Sequence, residues 1–165
     1  MGKLASLFGK TGQFSKARRM RLTAAKLAES LLDVHDPVTF MKINKLLNCE
    51  NAMDHITSEE LIRKREKLLF DQRNFLGQRT TPARPPTEIH PSILETMSFL
   101  AADLKKAKHK AKAIELRREL LTAQKVSLSP ANRETLRNMK RLTLMLTDKA
   151  RSHVAQAQEG LKLFE

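Results

Sequence analysis

The side chains that could do chemistry in this chain are five histidines, one cysteine and a dense run of lysines. No pair of histidines has the HExxH spacing of a zinc site, and His35, between Asp33 and Asp36, lies at a helix junction where an N-cap explains the acids. Cys49, beside Glu50, has no second cysteine with which to form a disulfide, and its setting is typical of a half-buried small residue. The sequence therefore predicts no enzyme, no metal, no cofactor and no small-molecule substrate.

The lysine run is the one strong signal, and its chemistry is electrostatic. The stretch ADLKKAKHKAK, residues 102–112, contains five lysines and no acid after its second residue. Like charges four apart on a helix, as at Lys106 and Lys110 or at Lys108 and Lys112, cost a few tenths of a kcal/mol per pair, so a bound polyanion would relieve them. A solvated basic face is the alternative; a membrane surface is not favoured, because the outward positions lack large apolar residues.

The charge of the whole chain favours a nucleic acid as that polyanion. With 31 Lys and Arg against 18 Asp and Glu, the formal charge is +13 and the pI is about 10.2. Tyr and Trp are absent, so we expect salt-sensitive contacts with the phosphate backbone rather than stacking on bases. The candidate nucleic-acid contacts are Lys16, Arg18, Arg19, Arg21, Arg79, Arg84, Lys105, Lys106, Lys108, Lys110 and Lys112.

The N-terminal part of the chain has a composition of its own. Residues 1–28 contain no acid but seven Lys and Arg, interleaved with Leu and Phe, which is typical of a mitochondrial targeting segment. A basic helix that contacts RNA or a partner explains the same residues. We expect a mitochondrial matrix protein that retains this segment uncleaved. No apolar run is long enough to span a bilayer.

The elements that must position these charges are helices. Leu, Ala, Met, Lys, Arg and Glu dominate the chain, which predicts an all-α fold of about five helices. A basic N-terminal helical region covers residues 1–77. Its expected helices are Gln13–Val34, a second opened by Asp36 and Pro37 that buries Phe40, Ile43 and Leu47, and Ser58–Leu76, capped by Thr57 and Glu60 and closed by Gly77.

Residues 78–91, QRTTPARPPTEIHP, hold four of the six prolines and predict an extended linker or strap. Residues 92–165 then predict a long antiparallel helical hairpin. Its first helix, Ser92–Lys125, would be about 50 Å long. The remaining expectations here are a capping box of Ser92 and Glu95, a buried stripe with Leu104, Ala107, Ala111 and Ile114, and a last helix over 130–158 with Ser129 as N-cap and Pro130 in its first turn.

In type, the basic, helical, aromatic-poor chain with a proline-rich strap resembles a mitochondrial ribosomal protein. The segments RMRLTAAKL and MKINKL, within residues 19–47, are similar to the N-terminal helix pair of a small mitochondria-specific family of the ribosomal small subunit, the thirty-third in that subunit's naming. The resemblance implies a structural component that contacts rRNA and other ribosomal proteins. Two alternatives stay open: a non-catalytic helical accessory subunit of a mitochondrial inner-membrane complex, and a basic scaffold protein elsewhere.

Overall fold

A computed structural model of the chain describes residues 2–33, 35–53, 55–78 and 89–162. These residues form helices and no strand, so the predicted all-α class is confirmed. The described part contains seven helices rather than about five. They are α1 (Gly2–Lys10), α2 (Phe14–Leu31), α3 (Pro37–Ala52), α4 (Ser58–Gln78), α5 (Pro91–Lys106), α6 (Lys110–Ser127) and α7 (Arg133–Lys162).

Two of the predicted helix starts are confirmed at the level of single hydrogen bonds. The carboxylate of Asp36 accepts from the Val38 N–H at 2.7 Å at the start of α3. The Thr57 hydroxyl accepts from the Glu60 N–H at 3.2 Å at the start of α4, whereas the Glu60 carboxylate, expected to reach back to Thr57, lies 3.0 Å from the Lys64 ammonium instead. Both caps satisfy an N–H that the first helical turn leaves without a partner.

Other predicted helix boundaries are wrong. Gly77 does not end α4, which continues to Gln78. Ser92 does not cap α5: the His90 ring accepts from the Ser92 N–H at 3.2 Å, and Pro91 occupies the first turn. The imidazole ring therefore supplies the acceptor that we expected from the serine hydroxyl.

The start of the last helix also differs from the prediction. Ser129 has left-handed backbone with φ 82°, and Pro130 lies in the connection before α7. Asn132 caps α7, because its side-chain oxygen accepts from the Glu134 N–H at 2.9 Å. The helix therefore begins at Arg133, three residues later than expected.

The predicted single helix over 92–125 is wrong. It consists of α5 and α6, joined by residues 107–109, and these two helices pack against each other. α7 packs in turn against α6, and the antiparallel hairpin stays a prediction for that pair.

The helices stack in series. Each one packs chiefly against the helices before and after it in the chain, and α3 also contacts α5. Packing between near neighbours is the pattern of helical-repeat proteins. The main core cluster joins α4 to α7, and a second one, which contains Phe40, Leu47, Leu61 and Leu68, joins α3 to α4.

The buried residues of α3 include Phe40 and Leu47, as predicted, while Ile43 is half-buried. α4 packs against α5 although the proline-rich segment separates them in sequence, and residues 79–88 of that segment lie outside the described residues. The division into 1–77, 78–91 and 92–165 stays a prediction. Within the described residues, no helix is both long and apolar enough to cross a membrane.

Candidate nucleic-acid interface

The lysine run lies around a turn instead of along one helix. α5 ends at Lys106, and Lys108 has left-handed backbone with φ 67°. The His109 N–H donates to the Leu104 carbonyl at 2.9 Å, and the Lys108 N–H donates to the Lys105 carbonyl at 3.1 Å. These two bonds define a Schellman motif, in which a left-handed residue, usually glycine, closes a helix.

This turn changes which residues face the core. Leu104 is buried before the break, as predicted, and Ala107 is half-buried. Beyond the break the predicted stripe fails in part, because Ala111 is exposed while Ala113 and Ile114 are buried. The interruption resets the helical phase, so a single three-four register cannot continue from α5 into α6.

The lysines around the turn are all exposed and form no ion pair with any described residue. Two of the acids nearby are engaged elsewhere, while Glu66, Glu115 and Glu119 line one surface pocket together with Lys112. Glu59 lies 3.0 Å from the His109 ring, and Asp103 pairs with Arg65. Burial raises the pKa of Asp103, although Arg65 and Lys106 partly oppose the shift. We define the lysine turn as Lys105, Lys106, Lys108, Lys110 and Lys112.

The predicted contacts on α2 have mixed surroundings. Lys16 is exposed, its ammonium 2.9 Å from the Gln13 side-chain oxygen. Arg19 is exposed without a partner among the described side chains. Arg18 lies 3.4 Å from the Glu50 carboxylate, so part of its charge is neutralised.

The predicted nucleic-acid contacts are therefore divided between α2 and the lysine turn. Arg21, also on α2, donates to the Lys45 carbonyl at 3.0 Å. No substantial packing joins α2 to α5 or α6 in the part of the chain described. Arg79 and Arg84 lie outside the described residues. The lysine turn is the one place where five predicted contacts lie within eight consecutive positions.

One arginine of α4 is fully buried. Arg65, with 0% of its side chain exposed, lies 2.6 Å from the Asp103 carboxylate, which makes an ion pair without the alignment of a hydrogen bond. It also donates to Asn44 at 3.2 Å and to Asn48, and its guanidinium lies 4.8 Å from the Phe99 ring centre. Burial lowers the pKa of Arg65, against the effect of Asp103. This network joins α3, α4 and α5.

A second arginine is buried without a carboxylate partner among the described residues. Arg117 donates to the Asn138 side-chain oxygen at 2.9 Å, and Asn138 donates back to the Arg117 carbonyl at 3.1 Å. Burial, and then the nearby Arg141, lowers the pKa of Arg117 to about 10. The group still carries its proton at pH 7, but its charge is removed from the surface.

Two of the residues considered above as metal ligands, Cys49 and His35, have structural contacts. Across the described residues, no three His, Cys, Asp or Glu side chains are grouped so as to hold a metal ion. Cys49 is buried, with its sulfur 4.0 Å from the Phe14 carbonyl. His35 stacks on the Phe75 ring with centroids 3.3 Å apart.

Comparison with solved structures identifies the type of fold. No family model matches the chain, and neither does any curated protein. The crystal structure of the TPR-like repeats of a putative kinesin light chain from Podosopora anserina is similar, with a TM-score of 0.71 and 20% identity over 98% of this chain and 70% of that chain. A single-substitution variant of that protein gives 0.70 and 20% over 98% and 69%. At this identity the likeness shows the fold alone, which is a TPR-like helical repeat.

Proposed function

We propose that this protein is a non-catalytic, helical-repeat component of a ribonucleoprotein, where it binds the RNA phosphate backbone and packs against neighbouring proteins. The observation that carries the proposal is the lysine turn, with five exposed ammonium groups and no carboxylate paired to any of them among the described residues. Their mutual repulsion is relieved when phosphates lie between them.

The geometry of the turn favours backbone contact over base reading. Lysine is a flexible point charge without the planar fork that arginine offers to a guanine edge. A turn also points its side chains in several directions, which suits phosphates spread over a folded RNA better than a single groove. We therefore expect binding that depends strongly on salt and little on RNA sequence.

The assembly that we propose is the mitochondrial ribosome, with rRNA and other ribosomal proteins as partners and the matrix as the location. Support comes from the acid-free, basic start of the chain and from the similarity of residues 19–47 to a mitochondrial small-subunit family. Arg18 and Arg19 on α2 would add to the contacts of the lysine turn, as would Arg21.

A groove favours a second candidate function, that of a protein-binding scaffold such as an accessory subunit of a membrane-bound complex. The groove lies between α3, α5 and α7, with a volume of about 620 Å³. Its lining combines apolar side chains, including Met41 and Phe99, with charged ones of both signs: Arg141, Glu95, and Arg137 paired with Glu134. Helical repeats commonly bind proteins on such concave surfaces.

RNA binding can be tested directly by the salt dependence of affinity. Replacing Lys106, Lys108 and Lys110 with Gln should weaken binding of the full chain to single-stranded RNA and reduce the slope of log K against log salt by about 2, or about 0.7 per lost contact. The control, with Lys26, Lys67 and Lys125 changed to Gln, removes the same charge from exposed sites elsewhere. Equal effects of the two triple variants would mean that net charge alone binds RNA.

The assembly is tested by sedimentation of the tagged protein from detergent-solubilised organelles, with and without ribonuclease. Migration with a ribosomal subunit that is lost after ribonuclease supports the proposal. Migration with a large particle that ribonuclease does not alter supports the scaffold function, and the groove then becomes the surface to change.

A further inference from the structure

A cleft of about 280 Å³ lies between α1, α2 and α3, away from the lysine turn. Arg21, Lys42 and Lys45 contribute three positive charges to its lining, and none of its lining residues is acidic. Ala5 and Ala24 keep the cleft open, because their small side chains leave space between the helices. Three cations around one cavity repel each other unless an anion lies among them.

The cationic groups are partly held in place. Arg21 donates from one terminal nitrogen to the Lys45 carbonyl at 3.0 Å, so α2 and α3 together fix its guanidinium. Its other N–H groups have no acceptor among the described residues. Lys42 has no described partner. The Lys45 ammonium lies 3.6 Å from the Met41 sulfur, which is a weak contact, and it also interacts electrostatically with Glu95 on α5.

Asn48 supplies a neutral donor to the same cleft, and the buried network determines its orientation. Its side-chain oxygen accepts from Arg65, which Asp103 in turn holds from α5. Because the oxygen is engaged, the Asn48 amide nitrogen is the end that remains, and it has no acceptor in the described part of the chain. The fully buried Arg65 thus orients the donor end of the half-buried Asn48 side chain toward the cleft.

Apart from the Ser6 hydroxyl, which can donate or accept, the polar side-chain groups left over in the cleft are donors, from Arg21, Lys42, Lys45 and Asn48. Glu95 is the carboxylate that acts electrostatically on Lys45, but it lines the groove between α3, α5 and α7 rather than this cleft. A site made of cations and amide donors is complementary to an oxyanion with several acceptor oxygens.

From this arrangement we infer that the cleft between α1, α2 and α3 binds a phosphate group, and that the phosphate belongs to the RNA backbone. The inference rests on the proposed function for the source of the phosphate, but not for the chemistry of the site. The cleft adds a fixed phosphate position to the looser contacts of the lysine turn.

The test follows the Asn48 side-chain amide by NMR in the ¹⁵N-labelled full chain. Titration with inorganic phosphate, and separately with a single-stranded oligoribonucleotide, should shift this amide. Changing Lys42 and Lys45 to Gln should weaken both titrations about tenfold. The control pair, Lys26 and Lys67 changed to Gln, removes the same net charge from exposed positions outside the cleft and should leave the phosphate titration unchanged.

The outcomes separate the cleft from the lysine turn. If RNA binds through the lysine turn but neither probe shifts the Asn48 amide, the cleft is not a phosphate site, and the proposed function still stands. A phosphate shift in a chain that binds no RNA supports the site and overturns the proposed function. A shift with a phosphoserine peptide but not with RNA overturns RNA as the source. Equal weakening by the two double variants overturns the site.

Discussion

Replacing Arg65 with Met tests the buried network on which both the stack of helices and the orientation of Asn48 depend. Methionine retains an unbranched side chain but loses the ion pair to Asp103, whose side chain is only 12% exposed, and the hydrogen bonds to Asn44 and Asn48. Removing one partner of a buried pair typically costs about 3–5 kcal/mol, because the other charge is left buried and unpaired. For a chain of this size that corresponds to a fall in Tm on the order of 10 °C.

Urea denaturation followed by circular dichroism measures this loss. Arg63 to Met is the matched control, since Arg63 is exposed on the same helix, and its effect should stay within about 0.5 kcal/mol. The double variant, with Arg65 changed to Met and Asp103 to Leu, should recover more than half of the loss, because no charge is then buried alone. A loss below about 1 kcal/mol in the single variant, or no recovery in the double, would refute the reasoning.

Two further predictions concern the turn and the half-buried acid Glu95. Changing Lys108 to Gly should raise the free energy of unfolding by about 0.5–1 kcal/mol, because the left-handed strain of a residue with a Cβ exceeds the entropy cost of glycine. Thermal unfolding measures this gain. As a control, the same change at Lys106, which lies in the helix, should destabilise the protein. Burial raises the pKa of Glu95, so ionising this carboxyl group in the folded protein lowers the free energy of unfolding. The variant with Glu95 changed to Gln should therefore gain stability relative to the unchanged chain as the pH rises above 4.5, the ordinary pKa of a glutamate. Urea midpoints compared at several pH values measure this gain, and a difference independent of pH would contradict it.

The sequence predicts helix starts well where a few adjacent residues decide them. An N-cap such as Asp36 or Thr57 needs only its own side chain and an N–H two or three positions later. The break at Lys108 has no such signal. Ala and Lys are good helix formers, and the left-handed position lacks the glycine that usually marks it. Packing of α5 on α6 stabilises the turn, and that packing depends on contacts along two whole helices rather than on the few residues around Lys108.

The hydrophobic periodicity of α4 indicates that Arg65 is buried, although a charged residue is ordinarily expected at the surface. Arg65 follows Leu61 by four positions and precedes Leu68 by three, so it lies on the apolar stripe of α4. A charged residue at such a position predicts a buried partner, but the sequence cannot name the partner, because Asp103 reaches it only through the packing of α4 on α5.

The same burial changes what the net charge of +13 means for binding. Arg65 is compensated by Asp103 and Arg117 is enclosed, so neither adds much to the field outside the protein. Lysines spread over the surface add equally to the net charge wherever they lie, and their pairwise effects are screened beyond about 10 Å at 0.1 M salt. A bound polyanion therefore distinguishes positions where several cations lie within that distance of one phosphate. We expect the lysine turn and the cleft to satisfy this condition by different means. The lysine turn offers five flexible ammonium groups, whereas the cleft combines Lys42 and Lys45 with two donors held in place, Arg21 and Asn48. Only variants of equal net charge can separate their contributions.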